Sequence, residues 1–354
     1  MTDWGASNRV DSFEFILCDP FTLDELEPVE VSASESALSW DIDSDNLYSG
    51  SIAVLEPVSK DRLVRVRHTV NAGGETITET LATMFVHAVS NNALYGRENR
   101  GARCYSTLFR FTQDRLASDF HRAKGANVVE AIRDLVEEVG GKLIVSDIEA
   151  AFNGRTFGKP IWFELGANRM DVIRTIASWI DCEIGCDPDG NVTISEVVDP
   201  ADKPSVYTFE AGRNCTYLPG ANVEDNRDEI VNRVVAYYTD ESGTDRAVVE
   251  LGEDSAFSYA RCGRYQTDII KLTEPCTHDA LDRKAKAHLR DRSGERRFYT
   301  IEHVSVPGLR VGDVVDYEND TDFAEPVKAR CVVAQMDMRS LAPGAKCITK
   351  LKTI

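Results

Sequence analysis

Leu63-Val64-Arg65-Val66-Arg67-His68-Thr69-Val70 alternates between two kinds of side chain, and the alternation stops at Asn71-Ala72-Gly73-Gly74. Successive side chains of a strand point to opposite faces, so a period of two followed by a glycine-rich turn reads as a half-buried strand and its hairpin. Thr76-Ile77-Thr78 and Thr83-Met84-Phe85-Val86-His87-Ala88-Val89 carry the pattern on. Upstream, Phe13-Glu14-Phe15-Ile16-Leu17 closes at Asp19-Pro20, Val29-Glu30-Val31 and Trp40-Asp41-Ile42-Asp43 alternate, and Ser51-Ile52-Ala53-Val54-Leu55 follows Gly50. Segments this short, with turn signals between them, argue for a sandwich or barrel rather than a parallel sheet.

The period changes after residue 115. Val128, Ile132, Leu135, Val136 and Val139 recur at helical spacing. Asn127 can cap that helix, with Glu130 reaching back, and Gly140-Gly141 can end it. Leu143-Ile144-Val145 reads as a strand. A second copy follows: Gly125-Ala126-Asn127 matches Gly166-Ala167-Asn168, and Ile132-Arg133 matches Ile173-Arg174 at the same offset. The second helix buries Met170, Ile173, Ile176, Ala177 and Ile180. Asp187-Pro188-Asp189-Gly190-Asn191 is a turn leading to the strand Val192-Thr193-Ile194. Beyond Pro204, Ile230–Tyr238 and Ala247–Leu251 form an expected hairpin. Residues 278–290 form an amphipathic helix with Leu281, Ala285 and Leu289 on one face and Thr277 as cap. Strands return at Arg297–Val304, Val306–Tyr317 and Ala329–Met336.

The 354 residues suggest two to three domains at about 150 residues each. We expect a mixed α+β, mainly β chain: a β-barrel domain over 1–115, a small α+β insert over 116–203, and a second β-barrel domain over 204–354 interrupted by the helix 278–290. With 42% hydrophobic and 28% charged residues, the chain can bury real cores. Fifty-nine acidic against 40 basic residues give a net charge of −19, which argues against a protein that grips nucleic acid or an anionic membrane. Residues 1–60 alone hold thirteen acids against Arg9 and Lys60, a surface that repels polyanions or meets a cationic partner. No apolar stretch reaches the length of a membrane span, and the start lacks a secretory pattern. Nine scattered cysteines without a CxxC fit reduced, mostly buried thiols and a cytosolic site of synthesis.

Chemical motifs are sparse. P-loop, GxGxxG, HExxH and GxSxG patterns do not occur. His68, His87, His121, His278, His288 and His303 never fall at metal-ligand spacing, and His68, His87 and His303 sit in strand-like segments. Cys182 and Cys186 form a CxxxC at the end of the second helix, with no second Cys/His pair for zinc. Asp41, Asp43 and Asp45 begin like a calcium loop, but its sixth position is Asn46 and its twelfth Ile52. The basic run from Arg283 to Arg297 is interleaved with acids and reads as a solvated face. No catalytic, cofactor-binding or metal-binding residue is assigned, and no cofactor is expected.

The order of elements, together with particular stretches, resembles a known family. Those stretches are Phe13–Pro20, Ser39-Trp40-Asp41-Ile42, Ser49-Gly50-Ser51-Ile52, Gly166–Trp179 running into Asp187-Pro188-Asp189-Gly190, Glu229–Val234, Thr277–Leu289 and Pro307–Val315. They resemble the baseplate-hub or tail-hub (tail-tip) proteins of tailed bacteriophages and related contractile injection systems. The resemblance implies a structural virion protein rather than an enzyme. It implies two like barrels per chain and a homotrimeric ring that joins a sixfold tail tube to a threefold tip. The ring would surround a channel for the tape measure and then DNA. Implied partners are a second copy, the distal tail or tail tube protein, the tape measure protein and a central tip or spike protein. DNA is in transit only, and there is no stable membrane binding. Synthesis and assembly would take place in the host bacterial cytoplasm. The alternatives are a receptor- or carbohydrate-binding tail module, which needs an exposed aromatic shelf, and a peptidoglycan-degrading tail enzyme, which needs a carboxylate pair or a Cys/His pair.

Overall fold

The structure, a computed structural model, describes residues 4–5, 8–55, 62–94, 97–145, 154–211, 216–226, 230–240, 243–272, 278–293, 296–323 and 325–354. The described chain is mainly β and forms two compact units. One comprises Met1–Ala221 and Thr300–Leu351, the other Asn222–Tyr299 and Lys352–Ile354.

The larger unit opens with β1 (Val10–Cys18), β2 (Glu25–Pro28), β3 (Val31–Asp41), β4 (Tyr48–Val54), β5 (Leu63–Ala72), β6 (Glu75–Leu94) and β7 (Arg97–Ser106). They lie in the order β3-β4-β7-β6-β5-β1-β2, all antiparallel. The quoted stretch is β5. It pairs with β6 up to Ala72↔Glu75, leaving a two-residue loop in which Gly73 and Gly74 have φ of 59° and 85°. That is the turn whose twist matches the flanking strands, and both positions favour glycine. The alternating apolar residues Val64, Val66, Phe15, Ile52, Met84 and Trp40 meet in one core. Among the described residues this sheet does not close on itself as a barrel. It runs on instead through β20 (Val327–Met338), which pairs with β3, to β21 (Lys346–Thr353). On the other edge of β20 lies β19 (Val314–Asn319), which pairs in parallel with β13 (Ser205–Glu210).

The same unit holds the helical segment. After α1 (Phe109–Thr112) come β8 (Phe120–Arg122), α2 (Val128–Glu137), β9 (Leu143–Val145), β10 (Ile161–Phe163), α3 (Arg169–Ser178), β11 (Cys182–Cys186) and β12 (Val192–Glu196). β9 and β11 flank β12, parallel and antiparallel respectively. Both helices bury their apolar faces in a common core with Phe111, Ile161, Ile184 and Ile194. Asn127 and Asn168 cap them as expected. The CxxxC lies not at the end of a helix but at the two ends of strand β11: Asp181, in the left-handed region at φ 55°, breaks the helical path just before Cys182.

The smaller unit contains β14 (Asn222–Asn226), β15 (Arg233–Asp240), β16 (Gly243–Glu250), α4 (Tyr259–Cys262), β17 (Thr267–Leu272) and α5 (His278–Ser293), with β18 (Arg296–Val304) leading out. The expected hairpin is β15–β16, and β17 adds to β15 in parallel. Leu281, Ala285 and Leu289 of α5 pack on Val234, Ala236 and Ala247. The expected cap Thr277 lies outside the described residues, as do Cys215 and Cys276.

Candidate functional site

The chemistry-bearing residues singled out from the sequence do not converge. Cys182 and Cys186 stand four apart in a strand, a rise of roughly 13 Å, too far for one metal. Burial pushes both thiols up to about 11, so neither is a thiolate near neutral pH. Cys186 Sγ is 3.0 Å from Thr107 Oγ1 and 3.2 Å from Tyr48 Oη, a buried polar knot between β4 and β11. Asp41 accepts the Asp43 amide at 2.9 Å in the β3–β4 turn, and Asp45 pairs with Arg174. These carboxylates serve the turn and the neighbouring helix. Among the described residues no three Asp, Glu, His or Cys side chains are grouped to hold a metal.

The histidines divide by environment. His303 is fully buried, facing the Val304 carbonyl at 2.6 Å through Nδ1 and Thr349 Oγ1 at 2.7 Å through Nε2, and burial lowers its pKa to about 4. Neutral imidazole with Nδ1–H donating and Nε2 accepting satisfies both contacts. His87 packs edge-on against Phe109, and His278 and His288 pair with Asp245 and Asp268.

His68 is different. It sits in β5, fully buried, stacked on Phe13 at 4.5 Å, with Nε2 2.8 Å from Asp11 Oδ1 and Nδ1 3.8 Å from Glu79 Oε1. Arg9 forks onto Asp11 at 2.6–3.2 Å and donates to the Ser305 carbonyl at 2.7 Å. Arg310 donates to Glu79 Oε2 at 2.7 Å, and the Gly308 amide donates to the same oxygen at 3.0 Å. The charges run Arg–Asp–His–Glu–Arg. Burial alone would raise the Asp11 pKa, but bonds from His68 and Arg9 outweigh it and hold it at about 2. Burial opposes the other two shifts as well: contacts with His68, Arg310 and the Gly308 amide hold Glu79 down, and contacts with Asp11 first and Glu79 second raise His68. The chain of five ties β1, β5 and β6 to the 305–310 loop, nearly three hundred residues downstream. It resembles a catalytic relay, but among the described residues no side-chain hydroxyl or thiol bonds to His68, and the ring is sealed from solvent. Nothing in the sequence period marks it, because its partners are distant in the chain.

A cleft of 870 Å³ lies between the β3–β4 turn, β11 and residues 310–313. Its walls mix Asp43, Asp45 and Glu183 with Arg174, Lys203 and Arg310, and Asp313 beside it has its pKa raised by burial. The acid-rich start of the chain is used unevenly. Asp11 is buried, Asp19 accepts the Phe21 and Thr22 amides, and Glu25 pairs with Arg65 and Arg67. Glu27 and Glu30 lie exposed along β2 and just beyond it. On the paired strands β8 and β10, Trp162 is 61% exposed and stacks with His121 at 5.7 Å, an exposed aromatic platform that the 8% aromatic content did not disclose.

No protein-family model matches the sequence, and no curated protein matches it. Solved structures do match along nearly the whole chain. A tail protein from Neisseria meningitidis MC58 superposes with a TM-score of 0.68 at 14% identity, covering 96% of each chain. The 43 kDa tail protein of prophage MuSo2 from Shewanella oneidensis gives 0.65 at 13%, over 96% of this chain and 98% of its own. Prophage tail protein gp18 from Listeria monocytogenes EGD-e gives 0.59 at 12%, over 96% and 94%. The chain therefore has the fold of these tail proteins, as the resemblance implied. That fold is shared end to end at identities of 12–14%.

Proposed function

We propose that this chain is the structural hub of a phage-type tail tip, and not an enzyme. Three copies form a ring that adapts a sixfold tail tube to a threefold tip and encloses the channel for the tape measure and DNA. In this reading residues 1–115 and 204–354 supply two like barrels per chain and residues 116–203 an insert between them. Heterologous contacts closing a ring are the physical solution to such a joint. The observation that carries the reading is the end-to-end match to tail proteins over 96% of the chain. The partners are further copies, the tail tube or distal tail protein, the tape measure protein and the central spike. The place of action is the virion tail tip, after assembly in the host bacterial cytoplasm. No cofactor takes part, and among the described residues no helix is long and apolar enough to cross a membrane. Part of the acidic start of the chain borders the channel and repels DNA, so that DNA slides without sticking.

Cryo-electron microscopy of the full chain and of its parent particle tests this. A threefold ring at the tube-to-tip joint, with an acidic lumen, supports it; a compact monomer absent from that joint overturns it, and a neutral or basic lumen removes the sliding role. The Trp162–His121 platform favours a second reading, a carbohydrate-binding tail module. Binding of the purified chain to intact host cells, lost in Trp162→Ala, would support that reading over the first.

A further inference from the structure

The three-stranded sheet of the smaller unit has one face covered by α5, and the other bare beyond the Arg233–Glu250 end, over which Tyr265 lies. Side chains alternate, so Val234, Ala236 and Ala247 turn inward to α5, while their neighbours along each strand turn out. On the bare face the register places Ile269, Val235 and Val248 side by side, one apolar row across all three strands. Ile269 is 64% and Val248 50% exposed. The next row sets Lys271 and Arg246 either side of Tyr237, and neither cation has a carboxylate partner among the described residues. An apolar row across three strands, contiguous rather than scattered and beside unpaired cations, is the composition of a contact surface.

In a chain of net charge −19, such a face is the exception, and its complement is in the same sequence. The segment from Asp19 to Glu30 exposes Phe21 and Leu26 as apolar groups and, in the same stretch of chain, Glu27 and Glu30, which are unpaired among the described residues. We infer that the bare β15–β16–β17 face of one copy docks on the acidic 19–30 segment of a neighbouring copy. The apolar row meets Phe21 and Leu26, and Arg246 and Lys271 meet Glu27 and Glu30. A face meeting a different face is a heterologous contact, the kind that closes rings, so the inference rests on the hub reading and gives it an interface. The other acids of residues 1–60 remain for the lumen.

The test uses the full chain. R246E/K271E and, separately, E27K/E30K are expected to weaken self-association at least tenfold by analytical ultracentrifugation, with unchanged circular dichroism because all four positions are exposed. The fourfold variant is expected to recover it, since the charges are exchanged rather than lost. In parallel, a photo-crosslinking residue at Val248 in mixed light and ¹⁵N-labelled chains should join to a peptide within 19–30 of the other isotope. A ring that survives both reversals, or a Val248 crosslink to another protein, to nucleic acid or to a different segment, overturns this contact and leaves the hub reading standing. A chain that neither associates in solution nor crosslinks to itself within the particle overturns both.

Discussion

Asn127 and Asn168 hold equivalent places in two halves of one pseudo-symmetric unit. Each accepts the amide three residues on, at 3.0 and 3.2 Å, and each follows a glycine at φ near +85°. Each cap is pinned by the other half. The Gly125 amide donates to Phe157 O and the Val128 amide to Arg155 O; the Gly166 amide donates to Leu116 O and the Arg169 amide to Asp114 O. The offset is 41 residues throughout, and β8 pairs with β10 about His121↔Trp162, where the local twofold must pass. The repeated Gly-Ala-Asn is therefore a duplicated helix–strand unit whose halves lock reciprocally. The exposed indole and imidazole mark its axis.

Removing either cap carbonyl should cost about 1 kcal/mol, since an orphaned first-turn amide loses its partner. Asn168→Ala is expected to cost more than Asn168→Asp, because Asp keeps the accepting oxygen and forfeits only the amide donor to the Thr112 carbonyl at 2.9 Å. Urea midpoints at constant slope would show this. Equal midpoints for wild type and Asn168→Ala would mean the cap oxygen contributes nothing.

These local features were legible because their physics is local: a cap and its amide are three residues apart, a hairpin turn is two. The β15–β16 hairpin and the buried stripe Leu281, Ala285, Leu289 were readable for the same reason. The parallel pairing of β13 with β19, about a hundred residues apart, left no trace in either strand's period. Nor did the Arg9–Asp11–His68–Glu79–Arg310 chain: in an alternating strand a buried His68 looks the same as a solvated one until its partners are brought to it. The place of the CxxxC, at the two ends of β11 rather than at the end of the second helix, is equally illegible, because nothing in the letters Asp181-Cys182 announces a left-handed residue.

His303 should make stability fall on mild acidification. Its folded pKa, about 4, lies below the ordinary 6.5, so the unfolded chain binds more protons between those values. The contribution is complete above about pH 6.5 and is lost as pH falls towards 4, at most about 3 kcal/mol. Denaturation midpoints over that window should fall for the wild type and flatten in His303→Gln, whose amide can still donate to Val304 O and accept from Thr349. An unchanged slope in the variant would assign the effect elsewhere.

The Asp11–His68 pair acts in two other windows. Asp11 is held at about 2, so its share, about 2 kcal/mol, is present above about pH 4 and disappears as pH falls through 2. The raised pKa of His68 has the opposite sense: its stabilisation is whole below 6.5 and is lost as pH rises through the folded value. Asp11→Asn should remove the acid step and shrink the alkaline loss together, because the Asp11 carboxylate is the titrating group of the first and the largest stabiliser of the His68 cation in the second. NMR titration of the His68 ring should show its midpoint dropping in Asp11→Asn; a midpoint that stays put would mean Glu79 alone sets it.

Gly141 is needed for closeness rather than for an unusual turn. Its φ is not positive, yet a Cβ there would stand 2.6 Å from Phe111 Cζ and 2.8 Å from Val136 Cγ1. Both neighbours belong to the packed core under α2 and α3, where rings cannot swing aside without displacing others. Gly141→Ala should therefore destabilise by about 1–3 kcal/mol, the cost of overpacking, despite removing backbone freedom from the unfolded chain. Gly158 is the control: a Cβ there meets nothing within 4 Å, so Gly158→Ala is expected within about 0.5 kcal/mol of wild type. Thermal midpoints of the pair decide it. If Gly141→Ala unfolds with the wild type, the α1–α2 junction has room to yield, and Phe111 is not the rigid wall that its burial implies.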